Sequence, residues 1–308
     1  MRVNLMIEGQ ESVTWPQWVA LAEAAEAAGL EGLFRSDHYQ SVANRTERSA
    51  LDASATITAL GAVTSRVRLG TMVSPASFRH PSVLAKLVVT ADHVSGGRVE
   101  LGMGAGWHDV EHHTYGFPFH DVGTRYDVLA EQLEIVRRQF EEDRFDFAGE
   151  HYRLEACEAR PKPVQQRLPI IMGGQAGPRA AALAARWADE YNTVMPTLDD
   201  VRERRARIVR ACEQVGREPL TFSVMTGCVV GADEADFRDR AGRLHAQQGS
   251  DEPLDAWIDR RRDVFVMGTL DQAAQRLAEL EQAGASRVFL QHLLHDDVDA
   301  VPLLGRLA

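Results

Sequence analysis

The stretch "LGMGAGWHDVEHHTYGFPF", Leu101 to Phe119, decides how the rest of the chain is read. His108, Glu111 and His112 spell H-x-x-E-H, the spacing of an inverted zinc-peptidase motif. Gly102, Gly104 and Gly106 close an apolar run just before it. Glycines there suggest a strand end where backbone approaches a cofactor. A zinc helix, a nucleotide loop and a barrel-mouth loop make different demands on the flanking sequence.

The zinc reading needs His108 and His112 on one face of a helix, and a third ligand. The Gly-rich entry and the nearby Gly116 and Pro118 disfavour a helix, and no third ligand is signalled. The "HDVEHH" run is therefore expected to be a loop, with no metal bound. A dinucleotide fingerprint needs G-x-G-x-x-G. Here Trp107 stands at the third glycine's position.

Outward from this stretch, short apolar runs alternate with amphipathic stretches of helical period. Strand-like runs are expected at 2–8, 32–36, 67–73, 99–104, 169–174, 191–196, 220–231 and 287–294. Thr14 is expected to cap the first helix, with Gly29 at its end. Eight βα units in 308 residues favour a closed (β/α)8 TIM barrel over an open doubly wound sheet, in one domain spanning 1–308. The segment 141–168 is too long for a plain connection, and "RFDFAGEHYRL" reads as a hairpin inserted over one barrel face.

Composition narrows the function. A net charge of −11 offers no general basic surface to nucleic acid or an anionic membrane. Cys157, Cys212 and Cys228 are scattered and form no C-x-x-C, which argues against a disulfide framework. No run reaches the ~18 apolar residues that span a bilayer, and the N-terminus lacks a signal core. A soluble, cytoplasmic protein acting on a small molecule is expected.

Barrel chemistry gathers where strands end. Asp37-His38 follows the second strand and suits general acid–base work, with the carboxylate tuning the imidazole. Adjacent strand residues point to opposite sides, so both need not face one pocket. Gly173, Gly174 and Gln175 precede a helix starting near Pro178, an arrangement that binds anions through free N–H groups and the helix dipole.

Taken together, "RSDHY", "VRLGTMVSP", "FRHPSVLAK", "VSGGRVELGMGAGW", "GAGWHDVEHHTYGFPF", "PIIMGG" and "MGTLDQAAQRLAELEQAGASRVFLQ" run along nearly the whole chain in order. The set resembles the luciferase-like monooxygenase superfamily, most of all its branch of oxidoreductases dependent on the deazaflavin coenzyme F420. The resemblance implies a (β/α)8 barrel with the ring system in its C-terminal mouth. It implies a non-proline cis peptide at Met72-Val73 or Val73-Ser74 backing the ring. Asp37 and His38 match the acidic–histidine pair beside the deazaflavin, and Gly173, Gly174 and Gln175 match the phosphate loop. Ala105, Gly106, Trp107 and His108 would line the cofactor site. Ala105 and Trp107 stand where sugar-phosphate dehydrogenases of the superfamily carry Thr and Glu, which argues against glucose 6-phosphate as substrate. The implied reaction is hydride transfer between F420 and an organic substrate, with His38 moving the proton. An FMN-dependent monooxygenase and a cofactor-binding protein without turnover are the alternatives. A homodimer is common in the resembled family.

Overall fold

The computed structural model describes residues 1–43 and 45–308. Eight parallel strands close on themselves: β1 (Arg2–Ile7), β2 (Gly32–Arg35), β3 (Arg68–Thr71), β4 (Val99–Gly104), β5 (Ile170–Gly173), β6 (Glu190–Val194), β7 (Thr221–Gly231) and β8 (Arg287–His292). Each pairs with the next in sequence. Pairing of β1 with β8 shuts the ring. This is the (β/α)8 TIM barrel that the alternation predicts.

The strands read as continuous apolar runs because both faces are covered. On β1, Val3, Leu5 and Ile7 join the core shared with the outer helices. Met6, one residue out of step, instead packs inside with Phe34, Ile171 and Phe289. Phe34 and Phe289 meet edge to face at 4.8 Å. At the N-terminal end of the strands lies a layer of buried charge. Arg287 donates to Glu31 (2.7 Å), Glu100 (2.7 Å), Glu190 (2.9 Å) and Asn4 (3.2 Å). The barrel is thus plugged below by ions and in the middle by aromatic rings. Only its C-terminal mouth is left for ligands.

Helices α1 (Trp15–Ala27), α2 (Ala53–Val63) and α3 (Pro81–Ser95) follow the first three strands. α4 (Asp109–Tyr115) and the long α5 (Val122–Glu141) follow β4. α6 (Pro178–Trp187) and α7 (Leu198–Gln214) follow β5 and β6. α8 (Glu234–Gln248), α9 (Leu254–Arg262) and α10 (Leu270–Gln282) lie between β7 and β8, and α11 (Val301–Gly305) ends the chain. Starts follow local capping chemistry. The Thr14 N–H donates to the Gln17 side chain at 2.9 Å, and Asp121 accepts from Thr124 N–H at 3.1 Å at the head of α5. No helix among the described residues is long and apolar enough to cross a membrane.

The inserted hairpin is present. Phe145–Ala148 pairs antiparallel with Arg153–Cys157. The Glu131 carboxylate of α5 accepts from the N–H groups of Glu150, His151 and Tyr152, which ties the hairpin turn to the barrel wall.

Two elements differ from expectation. Val266–Thr269 forms a short strand beside the C-terminal end of β7, inside a stretch read as connection. The "HDVEHH" run is helical, not a loop. His108 is its N-cap and Gly116, at φ 71°, terminates it. Gly116 and Pro118 limit the helix to two turns; they do not prevent it.

Candidate active site

A cavity of about 590 Å³ opens at the C-terminal mouth, lined by ends of most strands. One wall is the backbone after β3, where the Met72–Val73 peptide is cis, one of the two positions expected. Met72 and Val73 line the cavity, whereas Ser74 lies behind them, buried, with its hydroxyl on Asp37 (2.6 Å).

The glycines of β4 and β5 explain how this wall is held. A Cβ on Gly104 would sit 2.8 Å from Val73 Cγ2, and one on Gly173 3.0 Å from Val73 Cγ1. A Cβ on Gly102 would strike the Thr71 carbonyl. These glycines therefore make the notch that receives Val73. Gly104 and Gly173 also line the cavity, so the strand ends reach it with Val73 seated against them. Gly106, at φ 78°, does line the cavity, beside Ala105 and Trp107. Trp107 is 63% exposed, so its ring forms the rim of the mouth. His108 is buried behind the rim and outside the cavity lining.

His38 and Asp37 part ways, as neighbours on a strand end should. His38 lines the cavity. Asp37 is buried outside it, gripped by Arg79 at 2.5 and 3.2 Å, and Arg79 also binds Asp52 at 2.8 Å. The carboxylate partner of His38 is Glu111, whose Oε2 lies 2.8 Å from Nδ1. Glu111 is fully buried and also accepts from the N–H groups of Tyr39 and Gln40. Asp37 is anchored by Arg79 and Ser74, so the direct hydrogen bond to the imidazole comes from Glu111, while Asp37 adds only its nearby charge.

The electrostatics follow. Burial by itself lowers the pKa of His38, but the hydrogen bond and charge of Glu111, reinforced by Glu8 and Asp37, outweigh it and hold it above its ordinary 6.5. Burial likewise opposes the charge of Glu111, yet His38 and the two backbone donors keep it below its ordinary 4.5. Each partner thus favours the charged form of the other. Nδ1 is committed to Glu111, leaving Nε2 to exchange a proton with the cavity.

The glutamate of H-x-x-E-H thus orients His38. His112 is also engaged, with Nδ1 at 2.7 Å from the His108 carbonyl and Nε2 at 2.6 Å from Ser77 Oγ. No group of three metal-ligating side chains occurs among the described residues.

Next to the Met72–Val73 wall, Gly173, Gly174 and Gln175 line the cavity with Gly177, the N-cap of α6. Ala176 N–H donates to the Tyr191 hydroxyl (2.7 Å) and Gly174 N–H to the Asn192 carbonyl (3.0 Å), which fixes the loop. The positive end of α6 and the guanidinium of Arg125 on α5 face the same space. Sequence reading passed over Arg125, Tyr126, Glu8 and Asn192, all of which line the cavity. Glu8, buried at its base, accepts from Gln10 at 2.6 Å and from Gln291. An acid at the end of an apolar strand was the available signal for Glu8; Arg125 carried none beyond its place in the first turn of α5.

The residues present fit a flat, anionic cofactor. A notched wall backs the space, and a helix N-terminus and a guanidinium also line it.

Comparison with known proteins places this geometry. The chain is 30% identical over 250 residues to pyrimidine monooxygenase RutA of Stutzerimonas stutzeri (strain A1501), covering 78% of this chain and 67% of that protein. It spans 57–67% of the length of the curated relatives of that name. An F420-dependent secondary alcohol dehydrogenase solved with an F420-acetone adduct superimposes with a TM-score of 0.83 at 18% identity, over 100% of this chain and 98% of that one. The oxygenating constituent of 3,6-diketocamphane monooxygenase from a Pseudomonas putida plasmid, solved with FMN, gives 0.78 at 17%, over 99% and 97%. These two likenesses are of fold alone. The model of the luciferase-like monooxygenase family matches residues 2–287, and the chain belongs to that family.

Proposed function

We propose that this protein is an oxidoreductase that transfers hydride between coenzyme F420 and a small organic substrate in the barrel mouth. The observation that carries the reading is the His38–Glu111 pair at the cavity wall, in which a buried carboxylate raises the proton affinity of the imidazole. When bound, the reduced deazaflavin supplies the hydride. Everything else is the task of the chain. Met72 and Val73 would back the ring, and the Gly173–Gly177 loop with Arg125 would hold its anionic end, since all of them line the cavity. His38 delivers a proton from Nε2 to the substrate oxygen or takes it back in reverse, and Glu111 keeps the ring oriented and charged.

A second reading, a flavin-dependent monooxygenase, is favoured by the 30% identity to a pyrimidine monooxygenase. In that case pyrimidines are the first substrates to try. Isothermal titration with F420 and FMN, each oxidised and reduced under anaerobic conditions, separates the two. Tighter binding of F420 is expected. Micromolar FMN binding with no detectable F420 binding would overturn the hydride reading in favour of the monooxygenase.

A further inference from the structure

A second cavity of about 350 Å³ lies on the far side of Arg125. Its walls come from the β3–α3 loop, the segment before α5, α5 itself and the turn of the inserted hairpin. Ala105 and Arg125 line both cavities, so the guanidinium stands between them.

The charged side chains of the lining are Arg79 and Arg125, joined by the imidazoles of His80, His120 and His151, and no carboxylate lines it. Arg79 is already neutralised by Asp37 and Asp52. Glu131, the acid tied to the hairpin turn, is spent on backbone N–H groups. Arg125 has no such partner. Its guanidinium stacks on Phe119 at 4.3 Å and gives Nη1 to the His120 carbonyl at 2.8 Å. No ion pair to it occurs among the described residues. Arg125 Nε and His151 Nε2 are buried without a hydrogen-bond partner among those residues. A planar, permanently charged fork held in place with unspent donors matches a carboxylate or phosphate.

We propose that this second cavity is a subsite for an anionic group, carboxylate or phosphate, recognised by Arg125, His120 and His151. Its two histidines lie apart from the helix N-terminus at the Gly173–Gly177 loop, Arg125 is shared between the two cavities, and the inserted hairpin supplies one wall. The anion is either free in solution or the acidic end of a molecule whose body occupies the main cavity. The second case rests on the function proposed above.

Calorimetric titration of the full chain distinguishes these. One arm uses inorganic phosphate and succinate. The other compares F420 with the same deazaflavin lacking its phosphate and glutamate tail. Binding of the tail-less deazaflavin reports on the main cavity and the proposed cofactor; the difference between the two ligands reports on the second cavity. A His120→Ala/His151→Ala variant should lose about tenfold or more in affinity for the free anions, or for F420, while holding the tail-less ligand unchanged. Tenfold is about the effect of losing one hydrogen bond to a charged group, so it is the least expected when two such side chains are removed. A His120→Gln/His151→Gln variant, which keeps hydrogen-bonding side chains, should recover part of it and guards against misfolding. Loss confined to free anions assigns the site to a dissolved ligand, and loss confined to F420 assigns it to the cofactor's own tail. Equal affinities in wild type and variants for every probe would overturn the proposal. So would an equal loss for the tailed and tail-less ligands.

Discussion

At the residue scale the site turns on one imidazole and the carboxylate behind it. If His38 moves the proton, His38→Ala should lower turnover by ~10²–10⁴-fold, the usual contribution of general acid–base assistance. Cofactor affinity should change little, and single-turnover rates at saturating cofactor would show the split. Equal rates in variant and wild type would remove His38 from the chemistry. Glu111 gives a prediction with a sign. It raises His38 above 6.5, so the rate of the proton-donating direction should fall as pH climbs through that raised value. In Glu111→Gln the same limb should move to lower pH, because the charge that holds the proton is gone. Stability follows the same linkage. The contribution of His38 is complete below 6.5 and disappears as pH rises through its raised folded value. The contribution of Glu111 is complete above 4.5 and disappears as pH falls through its lowered folded value. The stability difference between wild type and Glu111→Gln should therefore be widest between 4.5 and 6.5, measured as thermal midpoints across pH.

At the scale of elements, two glycine-bearing strand ends do different jobs, and substitution should expose the difference. Gly102→Ala drives a methyl against the Thr71 carbonyl and Val73. Overpacking of this kind costs about 1–3 kcal/mol, readable as a lower urea midpoint. Gln175→Glu instead places an exposed negative charge beside the start of α6, where it opposes an incoming anion without disturbing the core. Cofactor affinity should drop about tenfold with stability unchanged; unaltered affinity would exclude this loop as the anion-holding end. Much at this scale was legible in the sequence. Buried strands announce themselves as apolar runs, helices by period, and the hairpin by a connection too long to be plain. Val266–Thr269 was missed because four residues running straight into α10 leave no turn signal between them. α4 was missed because glycine and proline close by were weighed above the helix-forming residues between them. Glu111 was seen, but as part of a metal motif. Its contact with His38 spans 73 positions, and such pairings leave no trace in local spacing.

For the molecule as a whole, the closed end of the barrel rests on Arg287. Removing it leaves Glu100 and Glu190 buried without their common cation. Arg287→Met should therefore destabilise the fold by about 3–5 kcal/mol in denaturant unfolding. Adding Glu190→Gln should recover part of that loss, whereas no recovery would mean that the arginine acts by packing against Phe34 and Phe289. The open end is organised differently. There, helix α4, inserted between a strand and its main helix, supplies the acid that a histidine on another strand end depends on. Anyone re-engineering this mouth by exchanging loops with a relative inherits that dependence. The segment around 38–40 and the segment around 107–115 form one transplantable cassette, and a graft that moves either alone separates the histidine from its acid.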